Sequence, residues 1–180
     1  MTATTTATAT LNVDVRPTLV SPLPVTWIPL LWTWLHEVPS ANLDDYSPST
    51  LRQFDAAMRE RLTHERSWGV LLAGLPVGAI GYLPMTARLG VFHGICFTQT
   101  ACGIGVARIA VCQVLDELFD AGVEKVCAYF FADNRRVQRL FEKLGGDDEG
   151  LQRAQTLRRG QPVDLRLMAL FNPRVQRKEA

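Results

Sequence analysis

Residues that would make the chemistry obvious are scarce in this chain. It has only three histidines and four cysteines in 180 residues. The cysteines, at positions 96, 102, 112 and 127, form no C-x-x-C pair and have no histidine at zinc-ligand spacing. No metal is therefore expected. Cys127 falls in an apolar run and Cys112 in a helical one, where cysteine behaves as a small apolar residue. Reduced, structural thiols of this kind suit a cytoplasmic protein. Excess charge is missing too. A net charge of +1 supplies no global field for nucleic acid or an anionic membrane, so neither is expected as a partner. Long apolar runs are also absent. The most apolar window, Trp27 to Leu35, has nine residues, against the roughly 20 that span a bilayer. Met1 to Thr10 mostly alternates Thr and Ala with no positive segment, which reads as a low-complexity arm rather than a signal peptide.

What remains is an ordinary composition, 47% hydrophobic and 21% charged, enough for one domain with a substantial core. The chain is organised around Val91 to Leu144. An apolar strand, Val91 to Thr98, runs into Gln99-Thr100-Ala101-Cys102-Gly103-Ile104-Gly105. Ile104, Ala107, Val111, Val114, Leu115 and Leu118 then recur at helical spacing, and Gly122 closes that helix. Val126 to Phe131 is apolar on both faces, as a doubly covered strand must be. Asn134 can cap a further helix whose inner face is Val137, Leu140, Phe141 and Leu144, ending at Gly145-Gly146. A glycine turn between strand and helix leaves free N–H groups at the positive end of a helix dipole, which suits a phosphate. Neither common nucleotide pattern is met. Arg108 stands where the dinucleotide fingerprint needs its third glycine, and no Gly-Lys-Ser/Thr follows.

The module as a whole resembles the GNAT superfamily of acetyl-CoA-dependent N-acetyltransferases. In that family a strand enters a Q/R-x-x-G-x-G/A loop and a long helix; a second strand splays from the first, and an asparagine opens a helix ending in a Leu-Gly-Phe-like turn. Here Thr100 to Gly105 occupies the loop, and Asn134 through Leu144-Gly145-Gly146 the second half, the resemblance extending less sharply over residues 10 to 170. Three positions depart: Thr100 replaces Gln or Arg, Phe141 stands where many members carry a tyrosine general acid, and Gly146 replaces phenylalanine.

The remaining elements agree in order. Leu11, Val13 and Val15 alternate with polar residues as a strand ended by Pro17. Thr26 can cap a helix to about Val38, with Ile28, Leu31, Trp32 and Leu35 on its stripe. Its tryptophans read as packing residues, with Trp32 or Trp34 in an acceptor channel as the alternative. Ser47-Pro48 or Ser49 starts a helix that buries Leu51, Phe54, Met58 and Leu62. Hairpins follow at Trp68 to Leu83 and, after the central module, at Leu151 to Phe171. The expected fold is α/β (α+β): one GNAT-like domain over residues 11–172 with a mixed, largely antiparallel sheet flanked by helices, in the order β-α-α-β-β-β-α-β-α-β-β. Residues 173–180 form a charged tail.

Amine acetylation requires a held thioester, a polarised carbonyl, a deprotonated amine and a protonated thiolate. The N–H groups of Cys102, Gly103, Ile104, Gly105 and Val106 are expected to hold the pyrophosphate of acetyl-CoA, the expected co-substrate. The resemblance implies that the main chain of Ile95 to Thr98, Phe97 included, pairs with the pantetheine arm, and that Asn134 touches that arm as well as capping its helix. Arg136, in a helix made basic by Arg135, Arg139 and Lys143, is a candidate for the 3′-phosphate, or part of a solvated face. His93 is the one imidazole of the module and the first candidate base, against a plain packing role. Alternation places His93, Ile95 and Phe97 on one strand face, and Phe92, Gly94, Cys96 and Thr98 on the other. Glu37, Asp44 and Asp45 lie in segments that would rim the acceptor site and are the further candidates for the base, Glu37 and Asp45 foremost. Two readings follow: an enzyme acetylating a protein N-terminus or a small amine, and a GNAT-shaped structural protein with weak or no catalysis. The further partner expected is a second copy in a homodimer or an assembly partner for the N-terminal arm, and an arm docked on a partner favours the second reading.

Overall fold

The computed structural model describes residues 16–37 and 43–175. The arm at 1–10, the expected strand at Leu11 to Val15 and the last five residues lie outside that range. The described elements are β1 (Thr18–Val20), α1 (Ile28–Glu37), α2 (Leu51–Arg61), β2 (Arg66–Leu72), β3 (Leu75–Pro84), β4 (Leu89–Phe97), α3 (Val106–Asp120), β5 (Lys125–Phe131), α4 (Arg135–Lys143), β6 (Asp147–Arg158) and β7 (Gln161–Phe171). The order of strands and helices is the expected one, with the first described strand just past Pro17.

Local chemistry sets the helix ends. Thr26 does not cap α1; it lies within a short 3-10 turn, Val25–Trp27, that leads into the helix. Ser47 is not free to start α2, because its hydroxyl donates to Asp44 Oδ1 at 2.9 Å and accepts from the Asp44 N–H at 3.1 Å. Thr50 takes the cap instead, its Oγ1 accepting from the Gln53 N–H at 3.3 Å. Phe54 is the buried anchor of α2, and Leu51, expected beside it, is exposed. Gly105, at φ 89°, caps α3 in the left-handed region open to glycine. That break makes the apolar stripe start later than spacing alone places it. Ile104, expected inside the helix, precedes it and is exposed, while Val106, Ala110, Val111, Val114, Leu115 and Leu118 are buried. Asn134 caps α4 as expected, its Oδ1 accepting from the Val137 N–H at 3.2 Å.

The sheet runs β1-β2-β3-β4-β5-β7-β6 and is antiparallel except where β4 meets β5. Helices α3 and α4 cover one face, with Trp68, Ile80, Tyr82, Phe92, Phe130 and Phe141 in the core between. The other face carries α1 and α2 over Leu23, Ala79 and Phe54. Burial of this kind contributes about 1.5–3 kcal/mol for each large apolar side chain. Two irregularities in β4 position the site. Its parallel register with β5 runs only from Leu89↔Lys125 to Phe92↔Ala128; beyond Phe92 the strands part. At that point Gly81 of β3 faces two residues, His93 and Gly94, because the register steps from Tyr82↔Phe92 to Ile80↔Ile95. The bulge needs φ +109° at Gly94, where a side chain would be strained.

The bulge corrects the simple alternation expected for β4. Phe92, Ile95 and Phe97 all pack toward α3 and α4, and Cys96 packs with Ala79 toward α1 and α2. One extra residue reverses the face of everything before it.

Candidate active site

The opening between β4 and β5 widens into a cavity of about 1040 Å³ that reaches from α4 to the α1–α2 layer. Three parts of it differ in chemistry.

At the α3 end lies the glycine loop. The Cys102 N–H is already bonded to Gln99 O at 3.2 Å, and the first bond of α3 runs from Ile109 N–H to Gly105 O at 3.1 Å. The N–H groups between, from Gly103 to Arg108, form no helical bond and sit at the positive end of a 15-residue helix. A side-chain carbon at Gly103 or Gly105 would meet nothing within 4 Å, so an incoming group has room there. Arg108, Arg136, Arg139 and Lys143 line the same cavity, whereas Arg135 turns to Gln138 Oε1 at 2.9 Å. The arrangement fits an extended polyanion.

At the bulge sits a charged cluster that sequence reasoning did not find. Glu65, whose side chain is only 6% exposed, accepts from His93 Nδ1 at 2.7 Å. Arg61 donates to the same carboxylate through Nε at 2.8 Å and Nη2 at 3.2 Å, and its Nη2 also donates to the His93 carbonyl. Burial alone would raise the Glu65 pKa; the bonds from His93 and Arg61 outweigh it and hold the carboxyl below its usual value. An ionised carboxylate only accepts, so His93 Nδ1 carries the proton. In its neutral form the ring presents the lone pair of Nε2, on a side chain that is half exposed and lines the cavity. The only sequence signal was the spacing of Arg61 and Glu65, four apart at the end of a helix.

The third part is the α1–α2 side, where Leu31, Trp32, Leu35, Phe54 and Met58 form the wall. The Trp32 ring lies 4.0 Å from His36 and 5.5 Å from Phe54 between centroids. Trp34 is buried in the α1–α2 core and does not reach the cavity.

Of the residues singled out from sequence, His93, Ile95, Phe97, Cys102, Gly103, Gly105, Asn134 and Arg136 meet on this one cavity. Thr98, Ile104 and Val106 flank it without lining it. Glu37 ends α1 in solvent, and Asp45 accepts from the Arg159 and Gly160 N–H groups at 2.7 and 2.6 Å. Neither of those carboxylates lines the cavity, although Asp44 does.

Residues 29–147 match the family model described as an acetyltransferase (GNAT) domain. That span takes in well over half of the chain and both walls of the β4–β5 opening. The chain belongs to the GNAT acetyltransferase family. No protein of curated function is similar to it in sequence. Among solved structures it is similar to the spermidine N-acetyltransferase of Vibrio cholerae in complex with CoA and spermine, at a TM-score of 0.74 and 17% identity over 88% of this chain and 97% of that one. It is also similar to the ribosomal-protein-alanine N-acetyltransferase of Brucella melitensis, at 0.70 and 15% over 86% and 99%. At these identities the likeness shows a shared fold.

Against that GNAT frame, Phe141 is fully buried, its ring 6.4 Å from Phe92 and 6.0 Å from Phe130. No hydroxyl stands at this position. The four cysteines are free, and burial, with the Cys102 thiol nearby, pushes Cys96 up to about 12, so it stays protonated. Among the described residues no group of His, Cys, Asp or Glu is placed to hold a metal, and no helix is long and apolar enough to cross a membrane.

Proposed function

We propose that this GNAT protein moves the acetyl group of acetyl-CoA directly to a primary amine, on a protein N-terminus or a small molecule, with His93 as general base. The observation that carries the proposal is His93, fixed by buried Glu65 at the bulge where β4 leaves β5. In this reading the N–H groups of Gly103 to Val106 take the pyrophosphate, and Arg136 with its basic neighbours takes the outer phosphate. The unpaired edge of β4 from Ile95 to Phe97 lies along the pantetheine arm, and Asn134 closes the cavity beside it. The amine nitrogen attacks the thioester carbon while His93 Nε2 accepts its proton. The carbon–sulfur bond then breaks, and the thiolate takes a proton from water, since Phe141 offers none. The Vibrio protein, solved with CoA and spermine in the same fold, supports this use of the cavity. Four free thiols fit a cytoplasmic setting.

Calorimetry with acetyl-CoA and with CoA, followed by turnover of a primary amine, tests the proposal. His93→Gln should reduce turnover roughly 10²–10⁴-fold and leave acetyl-CoA affinity nearly unchanged. Unchanged turnover in this variant returns His93 to packing. The missing hydroxyl at Phe141 favours a second reading, a GNAT-shaped structural protein. A wild-type protein that binds no acetyl-CoA would turn the balance from the enzyme to that reading.

A further inference from the structure

We infer that the acceptor is an amine carrying a single positive charge on an apolar, aryl or branched-alkyl body, and is not a polyamine. This rests on the acetyltransferase reading above and concerns the half of the cavity that faces α1 and α2. A chain of ammonium groups needs carboxylates with unused acceptor positions spaced along its path. Among the described residues two carboxylates line the cavity, Asp44 and Glu65, and every oxygen of both already accepts a hydrogen bond. Asp44 Oδ1 accepts from Ser47 Oγ and the Tyr46 N–H at 2.9 and 3.1 Å, and its Oδ2 accepts from Thr156 Oγ1 at 2.8 Å. Glu65 is spent on Arg61 and His93. The undescribed stretch at 38–42 reads Val-Pro-Ser-Ala-Asn and contains no acidic residue.

The wall itself is built for hydrocarbon. Trp32, Leu35 and Met58 are partly buried against the α1–α2 core, which leaves their outer surfaces to the cavity. An apolar body placed on them removes that surface from water at about 25 cal/mol per Å². A second ammonium in the same place would lose its hydration with no carboxylate in exchange.

The test uses the whole protein loaded with CoA. Calorimetric titration with 2-phenylethylamine is compared with spermidine and with the tripeptide amide Leu-Ala-Ala-NH2, and the same amines are then run as acceptors with acetyl-CoA. Affinity and kcat/KM at least about ten-fold higher for the apolar amines are expected, a discrimination ordinary for an apolar pocket. The tripeptide and the small amine separate the two sources of such a group. Trp32→Ala should raise the KM of the apolar amine about ten-fold with acetyl-CoA affinity unchanged. Met58→Gln, on the other helix, checks that result should Trp32→Ala fail to fold. Spermidine equal to or better than the apolar amines overturns the inference and leaves the acetyltransferase reading standing. Trp32-dependent binding of 2-phenylethylamine without turnover of any amine upholds the pocket's selectivity and sinks the transferase reading. No binding of either apolar probe overturns the inference.

Discussion

At the scale of single residues, Glu65 does most to decide what His93 can be. A strand histidine with no anchor rotates and titrates like any surface imidazole; one bonded through Nδ1 to a buried carboxylate has a fixed tautomer and a fixed Nε2. Glu65 is here a positioning residue. Glu65→Gln should lower kcat while leaving acetyl-CoA binding and the KM for the amine nearly intact, since the ring loses the bond that fixes its orientation. The same substitution has a signature in stability. The folded Glu65 carboxyl is held below its ordinary value, so its contribution is present above the unfolded value of about 4.3 and is lost as pH falls through the folded one. Melting temperature measured from pH 7 to pH 3 should therefore fall less steeply in Glu65→Gln than in the wild type. An identical slope together with unchanged kinetics would show that the pair is ornamental. His93 was visible in the sequence as the one imidazole of the module, but its partner was not. Glu65 lies 28 residues away and just beyond α2, and nothing in periodicity pairs the two.

At the scale of elements, the periodic signals were legible and the breaks in period were not. The apolar repeat of α3, the Asn134 cap and the glycine turn at Gly122 all fall where spacing placed them. What spacing missed are the two places where the chain leaves its period, and both serve the cavity. Gly105 in the left-handed region puts Ile104 outside α3, and the bulge at His93 and Gly94 reverses the faces of β4. A glycine in a strand run hints at a bulge. Which partner residue is doubled is decided across the sheet, by Gly81. The element-scale prediction concerns the loop before α3. Gly103→Glu or Gly105→Glu would place a negative charge among the free N–H groups and force an L side chain into φ 83° or 89°. Surrounding space is open, so the cost to the fold should stay at about 1–2 kcal/mol. Acetyl-CoA binding by calorimetry should be lost. Retained affinity would move the phosphate seat elsewhere.

At the scale of the whole molecule, the cavity is closed by contacts between parts of the chain more than 100 residues apart. The segment between α1 and α2 is fastened to the last hairpin. The Asp45 N–H donates to Leu157 O at 2.9 Å, and the Asp45 carboxylate takes the Arg159 and Gly160 N–H groups of the β6–β7 turn. Thr156 of β6 donates to Asp44 from the same hairpin. Sequence reasoning placed Asp45 at the acceptor rim as a candidate base; the structure gives both of its oxygens a mechanical task. Two charge-assisted bonds to backbone are worth about 1.5–3 kcal/mol each when buried, and less at this exposed turn. Asp45→Ala should then lower the melting temperature by a few degrees, at roughly 2–4 °C per kcal/mol for a domain of this size. Asp45 does not line the cavity that β4 and the glycine loop share, so acetyl-CoA affinity should hold. The acceptor wall should loosen, which raises the KM for the amine and spares kcat. A catalytic Asp45 predicts the reverse: kcat falls by orders of magnitude while melting temperature and KM stay put. Thermal melts and amine saturation curves on one variant therefore separate a clasp from a base.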